Sequence, residues 1–323
     1  MPAKSHSKTR LRSKAQKNTE WIEIPIFIHG ITPNKVPATS KREYAALLER
    51  VNQGLKSHRK SEFSGEPIYV VWGLPTIPPQ TTGIDQHLAE VERRLEIDAK
   101  RSMGIAYPIP FPFLGIYAKV RDFFFYGVTD LFYYVSADGE RALREHIFRY
   151  VARTINQLDR DADLHFSLNL FGHSAGSVIS HDLLFHLFSN KNLERRGSEL
   201  FGQMERLHKM IKEGRLRLRH LYTFGSPITP LTLRADSLIN KLISNEVLHP
   251  YDIGMREEDQ LTNPRWMNFW SRYDLASYPV ASLYSNSSGV IVDIEIHTPL
   301  LPAAAHASYW KSNEMADHIA RSF

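Results

Sequence analysis

Phe166-Ser167-Leu168-Asn169-Leu170-Phe171-Gly172-His173-Ser174-Ala175-Gly176-Ser177-Val178-Ile179-Ser180 is the stretch on which the fold turns. Phe166, Leu168, Leu170 and Phe171 form a short apolar, β-prone run. Ile179, Leu183 and Leu187 then recur every four residues, the stripe of a helix packed on a sheet. Between the two, Gly172 and Gly176 permit a close approach that side chains would block. Strand, sharp turn and helix in that order expose a serine at the apex of a strained backbone, so Ser174 is the first candidate for chemistry. A glycine-rich loop whose serine merely caps a helix is the plainer use of the same residues.

Working outward, further apolar runs alternate with helical patterns. Residues 24–28 are a β-branched run ending in His29-Gly30-Ile31, and residues 66–72 read as another strand. Leu221-Tyr222-Thr223-Phe224 leads into Gly225-Ser226-Pro227. Residues 268–274 end a further strand with Pro279 close behind, and residues 290–296 form the last, followed by His306 in Ala305-His306-Ala307-Ser308-Tyr309-Trp310. Helices are expected at 41–56, 83–101, 139–158 and 177–188. Such alternation argues a parallel sheet wrapped by helices, and 323 residues with 42% hydrophobic content can bury a substantial single core.

Laid in order, these segments resemble the lipase-like α/β-hydrolases, class 3 lipases in particular, over roughly residues 20–320; residues 100–138 and 191–214 have no clear counterpart. The likeness implies an α/β-hydrolase fold, a mostly parallel central sheet with helices on both faces, and a serine esterase or lipase activity on a small-molecule or lipid ester. The His29-Gly30-Ile31 turn resembles the one that holds an oxyanion donor in that family, and the segments around Asp274 and His306 resemble those carrying its acid and its histidine.

The chemistry asks for the same residues. A serine hydroxyl is a poor nucleophile at neutral pH, so an imidazole must take its proton and a carboxylate must fix the tautomer of that imidazole. Ser174, Asp274 and His306 supply the set in the order Ser, Asp, His, each after an expected strand. The backbone N–H groups of Ala175 and Ile31 are the expected oxyanion donors. Among fifteen histidines, His29, His173, His249 and His297 compete with His306 for the base, and chain order removes the first two. His297, directly after the last strand, is the main rival. Asp252 and Asp293 compete with Asp274, but the first precedes the expected strand and the second lies inside one.

No metal is expected, because His-Glu-x-x-His is missing and there is no cysteine to build a thiolate site. No phosphate-loop or dinucleotide fingerprint follows a strand, so no cofactor is implied. Residues 1–19 carry six Lys and Arg with no acid and read as a disordered basic arm, without the apolar core of a secretory signal. Removing the arm takes the formal net charge from +5 to −1, so residues 20–323, the catalytic domain, are not strongly basic and no specific nucleic-acid binding is expected. A cytoplasmic location is the default.

Residues 103–135 hold eleven aromatics interrupted by Pro108, Pro110 and Pro112. Three uses fit this insertion: a lid lining an apolar acyl pocket, a peripheral membrane contact, or ordinary packing. Prolines and charges break any membrane-spanning run. The same machinery would also serve an amidase or thioesterase, and a non-catalytic hydrolase scaffold that binds a membrane or a protein is the reading from another class.

Overall fold

The computed structural model describes residues 20–30, 37–72, 143–161, 163–189, 197–232, 248–259, 261–262, 264–285 and 287–323. The basic arm, Ile31, the expected helix at 83–101 and the aromatic insertion at 103–135 lie outside them.

Six strands make one sheet in which every neighbouring pair is parallel: β1 (Trp21–Ile28), β2 (Ile68–Val70), β3 (His165–His173), β4 (Leu216–Phe224), β5 (Trp266–Trp270) and β6 (Ile291–Glu295), ordered β2-β1-β3-β4-β5-β6. Between them run α1 (Pro37–Ser57), α2 (Glu145–Leu158), α3 (Ala175–Phe188), α4 (Glu199–Lys212) and the single turn α5 (Ile228–Thr232). The chain closes with α6 (Pro302–Ser308) and α7 (Asn313–Ser322). Parallel strands need crossovers, and crossover helices cover both sheet faces, which is why β3 is buried almost throughout, its polar Ser167 and Asn169 included.

The pleat divides the core in two. In β1, Ile24, Ile26 and Ile28 face one way, where Leu168, Leu170, Leu218 and Trp266 join the apolar faces of α2, α3 and α4. Phe27 faces the other way and meets Phe171, Tyr222, Phe224 and Phe269 beneath α1 and α7. Phe27 and Phe171 stack at 4.5 Å between ring centroids. On that second face α1 and α7 pass so closely that a methyl on Gly54 would lie 2.8 Å from Ala320 Cβ.

Register then positions the site. Ile28 pairs with Gly172, His173 with Phe224, Phe224 with Phe269, and Trp270 with Glu295. The C-terminal ends of β1, β3, β4, β5 and β6 therefore share one edge, and the segments that leave them converge there.

Two helices go beyond the periodicities read in sequence. α4 is capped by Ser198, whose Oγ accepts from the Phe201 N–H at 3.1 Å, and buries Met204, Leu207, Met210 and Ile211. α7 is capped by Ser312, which accepts from the Met315 N–H at 3.1 Å, and buries Met315, Ala316, Ile319 and Ala320. Both carry the serine cap and the i, i+3, i+4 stripe that would have marked them. Elsewhere boundaries shift by a few residues: α1 begins at Pro37 instead of 41 and α3 at Ala175, directly after Ser174, while residues 139–142 of the helix expected at 139–158 lie outside the described residues. Among the described residues no helix is long and apolar enough to cross a membrane.

Candidate active site

Ser174 takes φ 53° and ψ −127°, a conformation that L residues rarely adopt and that costs of order 1–3 kcal/mol. Its backbone is held on both sides. The Ser174 N–H donates to Phe224 O at 3.0 Å, and its carbonyl accepts from the Ser177 N–H at 2.9 Å and the Ser177 hydroxyl at 2.5 Å. Ser177 Oγ in turn lies 2.8 Å from Ser226 Oγ. The flanking glycines are sterically required. A Cβ on Gly172 would sit 2.7 Å from Ser177 Cα, and one on Gly176 would run into the carbonyl oxygens of Ile28 and His29.

His306 and Asp274 meet at the same edge. Both are buried, 7% and 3% exposed, so water competes little for their contact. His306 Nδ1 lies 3.0 Å from Asp274 Oδ1 and 2.9 Å from Oδ2. An ionised carboxylate only accepts, so this pairing puts the proton on Nδ1 and leaves the lone pair on Nε2. Asp274 Oδ1 also accepts from the Ala276 N–H at 3.0 Å. Tyr309, fully buried, donates its hydroxyl to Ser277 Oγ at 3.2 Å; burial first, then the charge of Asp274, pushes its phenol pKa up and keeps it protonated. Gly225, at φ 60°, closes the gap: a Cβ there would stand 3.1 Å from His306 Cε1 and 3.2 Å from Asp274 Oδ2.

Two contacts tie this dyad to the serine turn. Phe224, which receives the Ser174 N–H, directly precedes Gly225. His173, directly before Ser174, donates from Nε2 to the main-chain carbonyl of His306 at 2.9 Å, with ring centroids 4.7 Å apart. Chain order sets His173 aside as a base, and its supporting contact is invisible in sequence because its partner lies 133 residues away.

Ala175 opens α3, 1% exposed, and Ile31 lies outside the described residues. Gly30, just before Ile31, comes so close that a Cβ on it would be 3.0 Å from Ser174 Oγ. His29 is engaged elsewhere: its ring stacks on Trp72, whose backbone N–H donates to His29 Nε2 at 3.2 Å. The rivals sit apart from the dyad. The His297 side chain is 98% exposed and pairs with Glu314 at 3.2 Å. Asp252 accepts from the His249 N–H at 3.4 Å. Asp293 accepts from the Val280 and Ala281 N–H groups at 2.8 and 2.9 Å, pinning the turn after Pro279.

No family model matches the chain, and no curated protein matches it. Among solved structures it is similar to the RedJ thioesterase from the prodiginine biosynthetic pathway in Streptomyces coelicolor. The likeness has 11% sequence identity, covers 100% of this chain and 92% of that one, and has a TM-score of 0.37. At that overlap it adds nothing to the geometry of the site.

Two other histidines give the fold a pH dependence. His220 on β4 is 1% exposed, bonds Asn169 Oδ1 through Nδ1 at 3.2 Å, and has no partner on Nε2. Burial, then Arg219, Arg265 and Lys60, holds its pKa well below the usual value. His181 on α3 lies against Trp266 and bonds the Tyr284 hydroxyl; burial lowers its pKa to about 4, with Asp182 opposing. Unfolded chains take up these protons near pH 6.5 and the folded protein does not, so stability falls as pH drops from about 6.5 towards 4. A tenfold change in proton affinity is worth about 1.4 kcal/mol, so His181 contributes at most about 3 kcal/mol of that loss. Urea midpoints at pH 7.5 and 4.5 should drop less in His181→Gln than in the unaltered protein; an equal drop would assign the acid sensitivity elsewhere.

Proposed function

We propose that the chain is a serine hydrolase that cleaves carboxylic esters of hydrophobic or lipid acyl groups through Ser174, His306 and Asp274. The observation that carries this reading is the buried imidazole of His306, held through Nδ1 by both oxygens of Asp274 and tied by His173 to the strained turn bearing Ser174. Ser174 Oγ attacks the ester carbonyl as His306 Nε2 accepts its proton, and Asp274 stabilises the imidazolium. The tetrahedral oxyanion lies towards the Ala175 and Ile31 N–H groups. Its collapse breaks the ester C–O bond and His306 returns the proton to the leaving alcohol. Water, deprotonated by His306, then hydrolyses the acyl-serine and releases the carboxylate.

The surroundings favour an apolar substrate. Tyr273, Leu275, Tyr278, Leu300 and Leu301 are five of the seven large hydrophobic side chains most exposed among the described residues, and all five lie on the segments leading to or away from Asp274 and His306. A Ser271–Thr298 hydroxyl contact of 2.7 Å joins those segments. Such a rim supports an apolar acyl chain or a lipid surface as the partner, in keeping with peripheral membrane contact.

A fluorophosphonate probe tests the chemistry. The full chain should label at neutral pH and Ser174→Ala should not. Absence of serine-dependent labelling on folded protein would turn the reading to a non-catalytic scaffold. Turnover of matched p-nitrophenyl esters, thioesters and anilides, with acyl chains from two to sixteen carbons, then ranks the leaving groups, with the longer esters expected first.

A further inference from the structure

The strands share a starting edge as well as a finishing one: Trp21 opens β1 opposite His165, and Leu216 opens β4 opposite Phe166. This edge is about 25 Å along the strands from Ser174. A cavity of about 330 Å³ opens there, within the range of small-molecule sites. Its apolar wall comes from the body of the protein, with Phe188 and Leu216 each only 2% exposed.

The remaining wall carries three cations, Lys212, Arg217 and Arg256, against two carboxylates, Glu258 and Asp259, of which Asp259 is held by Arg265 at 3.2 Å. Ion pairs at this edge go to other groups: Arg215 takes Asp159 and Glu213, Arg219 takes Glu23, and Arg265 takes Asp259. Lys212, Arg217 and Arg256 also line the cavity, and among the described residues none of them has a carboxylate within ion-pair distance. Arg217 sits over the Trp21 ring, its Cζ 3.6 Å from the ring centroid, with Nε donating to Ser167 Oγ at 2.9 Å. Arg256 sits over the Tyr251 ring at 5.2 Å, and its buried Nε has no hydrogen-bond partner. A guanidinium held over an aromatic face presents a planar fork suited to an oxyanion. Burial lowers the pKa of Arg217, with the nearby charge of Glu23 opposing.

We propose that this cavity binds a small organic anion, with its carboxylate or phosphate on Arg217 and Arg256 and its apolar body against Phe188 and Leu216. The site is remote from Ser174, so binding here stands whether or not Ser174 is a nucleophile.

Calorimetric titration of the full chain with octanoate, octan-1-ol and inorganic phosphate tests it. Octanoate should bind, with octan-1-ol and phosphate each about tenfold weaker or worse, because each lacks one half of the ligand. Arg217→Gln and Arg256→Gln should weaken octanoate by about tenfold or more, the worth of one charge-assisted hydrogen bond. Glu258→Gln removes an exposed carboxylate from the cavity rim without touching the core, and should tighten octanoate a few-fold even if the arginine variants fold poorly. No octanoate binding, or an affinity unchanged in all three variants, would overturn the site. Phosphate binding as tightly as octanoate would overturn the role of the apolar body.

Discussion

Ser174→Ala and His306→Ala should each lower ester turnover by about 10⁴- to 10⁶-fold, with KM little changed and the fold intact. The loss is large because each variant removes a partner in a single proton transfer, and the double variant should be no slower than either single one. Intact folding is expected for Ser174→Ala because the bonds that hold the turn run through its backbone, to Phe224 O and from Ser177, and survive removal of the hydroxyl. His297→Ala is the control. Its side chain is 98% exposed, and turnover should stay at the level of the unaltered protein. If His297→Ala were dead and His306→Ala active, the role of base would pass to His297.

Asp274→Asn should lower kcat by about 10⁴-fold while leaving the melting temperature within a few degrees. The neighbours of Asp274 say why. The Ala276 N–H donates to Asp274 Oδ1 at 3.0 Å, which favours the amide oxygen of asparagine at that position and directs its NH₂ towards His306 Nδ1. A donor facing Nδ1 makes that nitrogen the acceptor and shifts the proton to Nε2, leaving no lone pair for the serine hydroxyl. Steady-state rates at pH 7 to 8, with a thermal melt of each variant, check this. A rate within tenfold of the unaltered protein would remove Asp274 from the mechanism.

Much of this site is visible in the chain itself. The glycines around Ser174 and the apolar runs on either side announce a tight strand-to-helix turn, and the steric reason is local: Gly172 packs on Ser177, five residues along. Strands β1, β3 and β4 are each marked by their apolar runs. Short-range periodicity carries such information because strand and helix are decided within about ten residues. The choice between His306 and His297 is of another kind. Both follow β6; in sequence the resemblance of its segment is what favours His306, and in the structure burial separates them: one is 7% exposed against Asp274, while the other is exposed beside Glu314.

By itself, then, the order of residues determined a parallel α/β sheet, the turn that presents Ser174, and a short list of acids and bases behind later strands. Tertiary structure alone decided which of them meet. It brought His306 to Asp274 across 32 residues and His173 to His306 across 133, and it gathered Trp21, Arg217 and Arg256 around one cavity at the opposite edge. The physical reason is strand register. Parallel pairing aligns the ends of strands that are remote in sequence, so atoms become neighbours through hydrogen-bond ladders that no local pattern encodes.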